Sequence, residues 1–317
     1  HNRGVMHFEA GDFDQAGFAF TKALELKPGD TKTIAYQAKC LFEQGWVDRA
    51  LELADTIRDL DPASPEPDLL HGGASARKRD WRAALVSFDA AIAHSPRSTM
   101  AHYHRGVTLY QMQMLDEASA SLRRACELNP EHFEAHYNLG GLLLELGVID
   151  TARPYLERAY AAGTGRPELP AMRQVLYELD PANAPRLRAL ADQDEARGDL
   201  VGALYFTERA LVLDRDSVRS RHLKGRILLE NGDAGGAVLE LERAVELAPG
   251  GYAPHQDLGR AYMQLGRYPQ ARTSLETARS LLLAQELPGR TEQEQEAARI
   301  LQGQLVGDID KLLERLP

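Results

Sequence analysis

The chain has 317 residues, a formal net charge of −10 and 44% hydrophobic residues. That acidic balance argues against a general binder of nucleic acid or anionic membrane, which needs a basic footprint. No run of 18 or more apolar residues occurs, so no membrane-spanning helix is expected.

Read from the N-terminus, an alanine recurs every 34 residues at Ala16, Ala50, Ala84, Ala118 and Ala152, and again at Ala203, Ala237 and Ala271. The gap from Ala152 to Ala203 is 51 residues, one and a half periods. A fixed period of this size marks a stacked array of units that cannot fold alone. Its core is linear, so chain length is no guide to domain number. Two further small-residue columns keep the register. One runs through Gly4, Ala38, Gly72, Gly106, Gly140, Ala191, Gly225 and Gly259. The other runs through Ala23, Ala91, Ala125, Ala159, Ala210, Ala244 and Ala278, with Ile57 the one bulky member. Small residues are expected where helix axes cross closely.

Each unit reads as two helices. Apolar residues between the columns follow helical spacing, as in Leu139, Leu142, Leu143 and Leu146. Turns such as Gly11-Asp12-Phe13, Gly198-Asp199-Leu200, Gly232-Asp233-Ala234 and Gly266-Arg267-Tyr268 end one helix and start the next. Glycine supplies a left-handed cap and aspartate accepts from the free amides that follow. Pro28, Pro62, Pro96, Pro130 and Pro249 close the second helix. By this register His1 already lies inside a first helix, so the chain reads as starting partway through a repeat.

The period, the small columns, the aromatic positions and the prolines resemble the tetratricopeptide repeat family, whose unit is 34 residues. Residues 135–143 (AHYNLGGLL) with Gly147, Ala152, Leu156 and Ala159 carry the pattern, as do Gly259, Tyr262, Gly266, Tyr268 and Ala271. The resemblance covers roughly nine tenths of the chain in eight registered copies. It implies an all-α, right-handed solenoid of about eight helix-turn-helix units.

The half-period insertion predicts one unpaired helix at residues 171–179, opened by Pro167 and Pro170 and closed at Asp180-Pro181. It divides the array into an N-terminal arc (1–163, repeats one to five), an irregular linker (164–183) and a C-terminal arc (184–285, repeats six to eight). A change of superhelical direction is expected at the linker. Residues 286–317 are expected to cap the end of the array. There Leu301, Leu305, Ile309, Leu312 and Leu316 form one apolar stripe, and Glu292, Glu294 and Glu296 suit a helix N-terminus.

In the family, the first helix of each unit lines a concave face on which peptides lie. The first-helix positions here that packing does not use include Asn2, Tyr36, Lys39, Leu69, Leu70, Tyr103, His104, Tyr137 and Asn138 in the N-terminal arc. Aromatics and amides on such a surface suit peptide recognition. Gly73 and Gly141 share the face, and a helix-interior glycine costs about 1 kcal/mol against alanine, so close approach of a ligand is one reason for each. In the C-terminal arc the corresponding face is basic, with Arg188, Arg219, His222, Arg226 and Arg260, and would suit an acidic segment. Asp192, Glu195, Glu230 and Asp257 stand nearby, and a salt-bridged face is the alternative. The lysine–asparagine clamp by which some family members hold a C-terminal carboxylate is not reproduced. Asn138 fills its asparagine column, but Tyr103, Val107, Pro185 and Ala189 occupy the matching places.

Signals for chemistry are thin. His132-Phe133-Glu134-Ala135-His136 is not a zinc-binding H-E-x-x-H, and no phosphate loop or nucleophile motif occurs. His102, His136 and His255 share one repeat column and read as packing residues. Cys40 and Cys126 lie 86 residues apart in core-like positions and read as unpaired buried hydrophobes, a weak pointer to a reducing compartment and to the cytoplasm, with the periplasm the alternative because the chain reads as starting partway through a repeat. Only seven lysines are present, a bias that hints at a GC-rich, bacterial genome. The sequence thus predicts a non-enzymatic scaffold for a peptide or protein, with no metal, no cofactor, no nucleic acid and no membrane insertion. The alternatives are the repeat region of a larger enzyme or sensor, and a solenoid that self-associates through its incomplete first repeat.

Overall fold

The computed structural model describes residues 1–285 and 292–317. Residues 286–291, where the expected capping segment begins, and the Glu292 side chain lie outside the described residues. Among the described residues there are eighteen α-helices and no strand.

The chain divides into two compact units, His1–Met172 and Arg173–Pro317. The first holds five helix pairs: α1 (Asn2–Glu9) with α2 (Phe13–Leu26), α3 (Thr31–Glu43) with α4 (Val47–Leu60), α5 (Glu66–Arg77) with α6 (Trp81–His94), α7 (Thr99–Gln111) with α8 (Leu115–Leu128), and α9 (Phe133–Glu145) with α10 (Ile149–Ala162). The unpaired helix α11 (Leu169–Leu179) begins two residues before its sequence boundary and crosses the division between units. The second unit continues with α12 (Ala184–Ala196) and α13 (Leu200–Leu213), α14 (Val218–Glu230) and α15 (Ala234–Leu247), then α16 (Tyr252–Gln264) and α17 (Tyr268–Ala284). A single helix, α18 (Glu292–Glu314), follows.

The turn within each pair is built as its glycines require. Gly11, Gly45, Gly147, Gly198, Gly232 and Gly266 take positive φ, from 68° to 88°. At the same register Arg79 and Gln113 are forced to φ of 60° and 61°, a conformation that costs a residue with a Cβ about 1–2 kcal/mol. Asp12, Asp80, Asp199 and Asp233 then accept the amides of Gln15, Ala83, Gly202 and Gly236. Trp46, Met114, Val148 and Arg267 fill that position in other units and provide no side-chain cap.

The connection between successive repeats has its own fastening. His102, His136 and His255 each bring Nε2 within 3.1 Å of the carbonyl oxygen six residues earlier, on Pro96, Pro130 and Pro249. Arg221, in the same column, donates from Nε to the Arg215 carbonyl at 2.7 Å. These histidines hold inter-repeat turns. His132 accepts the Ala135 amide and caps α9. Both ends of the His132–His136 segment are therefore engaged in the backbone.

The alanine column from Ala16 to Ala271 is fully buried in every unit. The glycine column makes room for a large side chain sixteen residues later. A Cβ on Gly72, Gly106, Gly140, Gly225 or Gly259 would stand 2.5–2.7 Å from Phe88, Leu122, Leu156, Leu241 or Leu275. Cys40 and Cys126 are free and buried, and burial pushes their thiols up to about 11 and about 12.

The second unit has a feature that the sequence pattern hides. Asp194 is fully buried in a column that elsewhere holds Leu41, Ser75, Leu109, Leu143, Leu228 and Tyr262. It is paired with Arg197, the residue that caps the end of its own helix, and Arg173 Nε of α11 lies 3.9 Å away. Arg173 also pairs with Asp199. Gly202 leaves the space: a Cβ there would meet the Asp194 carboxylate and lie 2.7 Å from Arg173 Nε. A buried carboxylate is tolerated only with such partners.

At the end of this unit Ile309 and Leu316 are buried, with Leu305 and Leu312 partly covered, against the α16–α17 core. Leu301 does not join them and is 57% exposed. Eight residues turn an α-helix through about 80° beyond two full turns, so Leu301 drifts off the face that carries Ile309.

Candidate functional site

The first helices of the first unit bring together most of the residues singled out there. One row holds Tyr36, Leu70, His104 and Asn138, and the next holds Lys39, Gly73, Val107 and Gly141, each spaced by one repeat. Leu70 turns inward and is buried with Ala38 and Ala54. Lys39 forms an ion pair with Glu66 at 2.8 Å and lies 5.5 Å from the Tyr36 ring centre. Both residues edge a cavity of about 560 Å³ that also touches Thr31, Lys32, Pro65 and His94.

Aromatic side chains fix the next stretch. His104 stacks on Phe88 at 5.4 Å and 17°, and touches Tyr103 at 5.0 Å. Burial, with the nearby charges of His132 and Lys39, pushes the His104 ring down to about 4, so it is neutral at physiological pH. Asn138 donates from Nδ2 to the Tyr103 hydroxyl at 3.2 Å. That hydroxyl is held above its ordinary range by burial and by Glu134. Tyr137 stacks on Phe133 at 5.6 Å and 10°, yet remains 38% exposed.

Tyr137, Asn138 and Gly141 meet in a second cavity of about 340 Å³, with Val107, Tyr110, Gln111, Leu122, Leu142 and Glu145. A Cβ on Gly141 would find nothing within 4 Å. Gly73 is different, because its Cβ would stand 3.1 Å from the Phe42 ring. Phe42 is in turn covered by the Arg77 guanidinium at 3.8 Å. Packing explains Gly73, whereas Gly141 opens onto empty space. Tyr110 and Glu145 complete the cavity, their side chains joined by a hydrogen bond of 2.8 Å from the tyrosine hydroxyl. They were not among the residues singled out from sequence. The available signal was the spacing of four that places Tyr137, Gly141 and Glu145 on one helix face.

In the second unit the basic residues are engaged. Arg188 pairs with Asp214 at 3.1 Å, Arg219 with Asp192, and Arg226 with Glu195. His222 lies 2.8 Å from Asp257, which also receives Arg260 at 3.1 Å. The cavity beside them, about 300 Å³, is lined by Asp192, Glu195, Arg219, His222, Leu223 and Arg226. Burial holds the Glu195 carboxyl above its ordinary range, with Arg226 opposing. These contacts are the salt-bridged arrangement rather than a free cationic stripe.

Among the described residues no group of three or more His, Cys, Asp or Glu is placed to hold a metal ion. No described helix is long and apolar enough to cross a membrane.

Comparison with known proteins adds the following. Sequence profiles described as tetratricopeptide repeats match residues 7–72, 228–281 and 69–118, and one described as a TPR repeat matches 108–147. Together they span more than half of the chain. Anaphase-promoting complex subunit 3 of Schizosaccharomyces pombe is 25% identical over 83% of this chain and 37% of its own length. RNA polymerase II-associated protein 3 of Homo sapiens is 31% identical over 35% of this chain and 16% of its own. The chain therefore spans little more than a third of the first relative and about a sixth of the second. Among solved structures, a chain of the APC/C hetero-tetramer Cut9–Hcn1 aligns with 89% of this chain and 52% of its own, at 18% identity and a TM-score of 0.42. MamA aligns with 49% of this chain and 91% of its own, at 26% identity and a TM-score of 0.38.

Proposed function

The chain belongs to the tetratricopeptide repeat family, and on that premise we propose that it is a non-enzymatic scaffold holding a peptide or protein segment in the groove of its first unit. Proteins of this family are in general interaction scaffolds. The observation that carries the reading is the open cavity over Gly141, walled by Tyr137, Tyr110 and Val107. Such a concave, partly apolar site with a few convergent polar groups suits one buried side chain of a partner.

The arginines of the second unit enter the proposal on different terms. Arg188, Arg219, Arg226 and Arg260 each hold a carboxylate of their own chain. An acidic partner segment would have to replace Asp214, Asp192, Glu195 or Asp257, one carboxylate for another. The groove of the first unit requires no such exchange, which favours it as the proposed primary site.

Filling the cavity tests the reading. Gly141→Leu starts a side chain where a Cβ meets nothing within 4 Å and removes a helix-interior glycine, and its helical circular dichroism and urea midpoint should match or exceed those of the wild type. Partner proteins captured by the wild-type chain and identified by mass spectrometry should be lost from the variant. Retention of the same partners at the same yield would contradict the groove assignment.

A further inference from the structure

The charge around the Gly141 cavity narrows its ligand. Nine residues line it, and Glu145 is the single charged one. Several carboxylates elsewhere on the first helices are matched: Glu66 by Lys39, Asp192 by Arg219, Glu195 by Arg226, and Asp257 by His222 and Arg260. Glu145 has no cationic partner among the described residues, and its contact is the Tyr110 hydroxyl on Oε2. That hydrogen bond fixes the carboxylate and leaves Oε1 to receive another donor. Raised by Glu145, the Tyr110 hydroxyl stays protonated and remains a donor.

We infer, resting on the groove reading above, that the cavity takes a segment in which an apolar side chain is followed or preceded at two residues by lysine or arginine. The apolar group fills the space over Gly141, against Val107, Leu142 and Tyr137. The cation reaches Glu145. Gly141 and Glu145 are four residues apart on one helix, which is about 6 Å along its axis. In an extended chain, side chains two residues apart point the same way and are separated by about 6.5–7 Å. The two spacings match. An acidic residue at that position would meet an unpaired carboxylate and be repelled.

The probe is a phage-displayed library of random twelve-residue peptides, selected against the full chain with Gly141→Leu as the counter-selection. The expected result is enrichment of Leu, Ile, Phe or Met with Lys or Arg two positions away. A peptide of that type should weaken by about three- to ten-fold at low salt on changing its basic residue to glutamate. Glu145→Lys should reverse the preference toward the glutamate peptide, and Glu145→Gln should remove it. Peptides that require an open Gly141 but show no basic preference, or an acidic one, would overturn this inference and leave the groove reading standing. Peptides that bind wild type and Gly141→Leu alike, or no enrichment over the counter-selection, would overturn both.

Discussion

Gly72 and Phe88 are a matched pair: a Cβ on Gly72 would stand 2.5 Å from Phe88 Cε1. The same glycine-to-large pairing, sixteen residues apart, recurs at Gly106–Leu122, Gly140–Leu156, Gly225–Leu241 and Gly259–Leu275. Where the column holds Ala38 instead, the residue sixteen positions later is Ala54, and where it holds Ala191 it is Thr207. Glycine thus stands in the column where phenylalanine or leucine must be accommodated, and alanine where the opposite residue is small, as close packing demands.

This relationship predicts opposite outcomes for one substitution at two glycines of the same helical type. Gly72→Ala should destabilise the chain by about 1–2 kcal/mol, because overpacking exceeds the gain in helix propensity. Gly141→Ala, with nothing within 4 Å of the new carbon, should stabilise by about 0.5–1 kcal/mol. Urea midpoints of the two variants give the signs directly.

The alanine column gives a harsher test. Ala84 is fully buried, and Ala84→Leu should cost about 1–3 kcal/mol by overpacking. An unchanged unfolding curve would mean that this register does not define the core.

Arg79 is exposed and holds a positive φ of 60°. Arg79→Gly should raise stability by about 0.5–1 kcal/mol, since relief of the left-handed strain exceeds the added freedom of the unfolded chain. Thermal unfolding of the variant should shift upward; a downward shift would place the stabilising role in the arginine side chain.

Removing the buried carboxylate should be costly. Asp194→Ala leaves the cations of Arg173 and Arg197 without it, at about 3–5 kcal/mol. Hydrogen exchange should accelerate in α12 and in the α11 residues from Arg173 onward, and unchanged protection there would contradict the role assigned to the pair.

Acid should weaken the first unit through His104. Its folded pKa, about 4, lies below the usual 6.5. Between those values the unfolded chain binds the proton and the folded chain does not. Stability is therefore intact above about pH 6.5 and falls as the pH drops toward 4, by at most about 3 kcal/mol. His104→Gln should flatten that part of the pH profile, and an NMR titration of the ring locates the pKa itself.

The repeat register was legible because its cause is local and recurs: a buried alanine in every copy, with a glycine turn, an aspartate cap and a glycine-to-large pairing in most or several of them. The unpaired helix at α11 followed from arithmetic on Ala152 and Ala203. The ion cluster at Asp194 was not legible, since its partner Arg173 lies in the irregular segment, outside any column. At the groove, Tyr137, Asn138 and Gly141 could be named from the repeat, while Glu145 could not, because it sits one turn beyond the rows compared. Gly73 and Gly141 read alike in sequence. Only the position of the Phe42 ring separates a packing glycine from an open one. The arginines of the second unit could be placed on a face, but the pairing of Arg219 with Asp192 and of Arg226 with Glu195 depends on side-chain reach between neighbouring repeats.

The central claim is that the first unit's groove holds a partner segment, and site-specific photocrosslinking tests it most directly. A photoreactive phenylalanine analogue at Tyr137 should form an adduct with a bound partner segment, and Gly141→Leu should abolish that adduct. The same analogue at Val86, exposed on a second helix, should form none. Adducts at Val86, with none at Tyr137, would contradict the account.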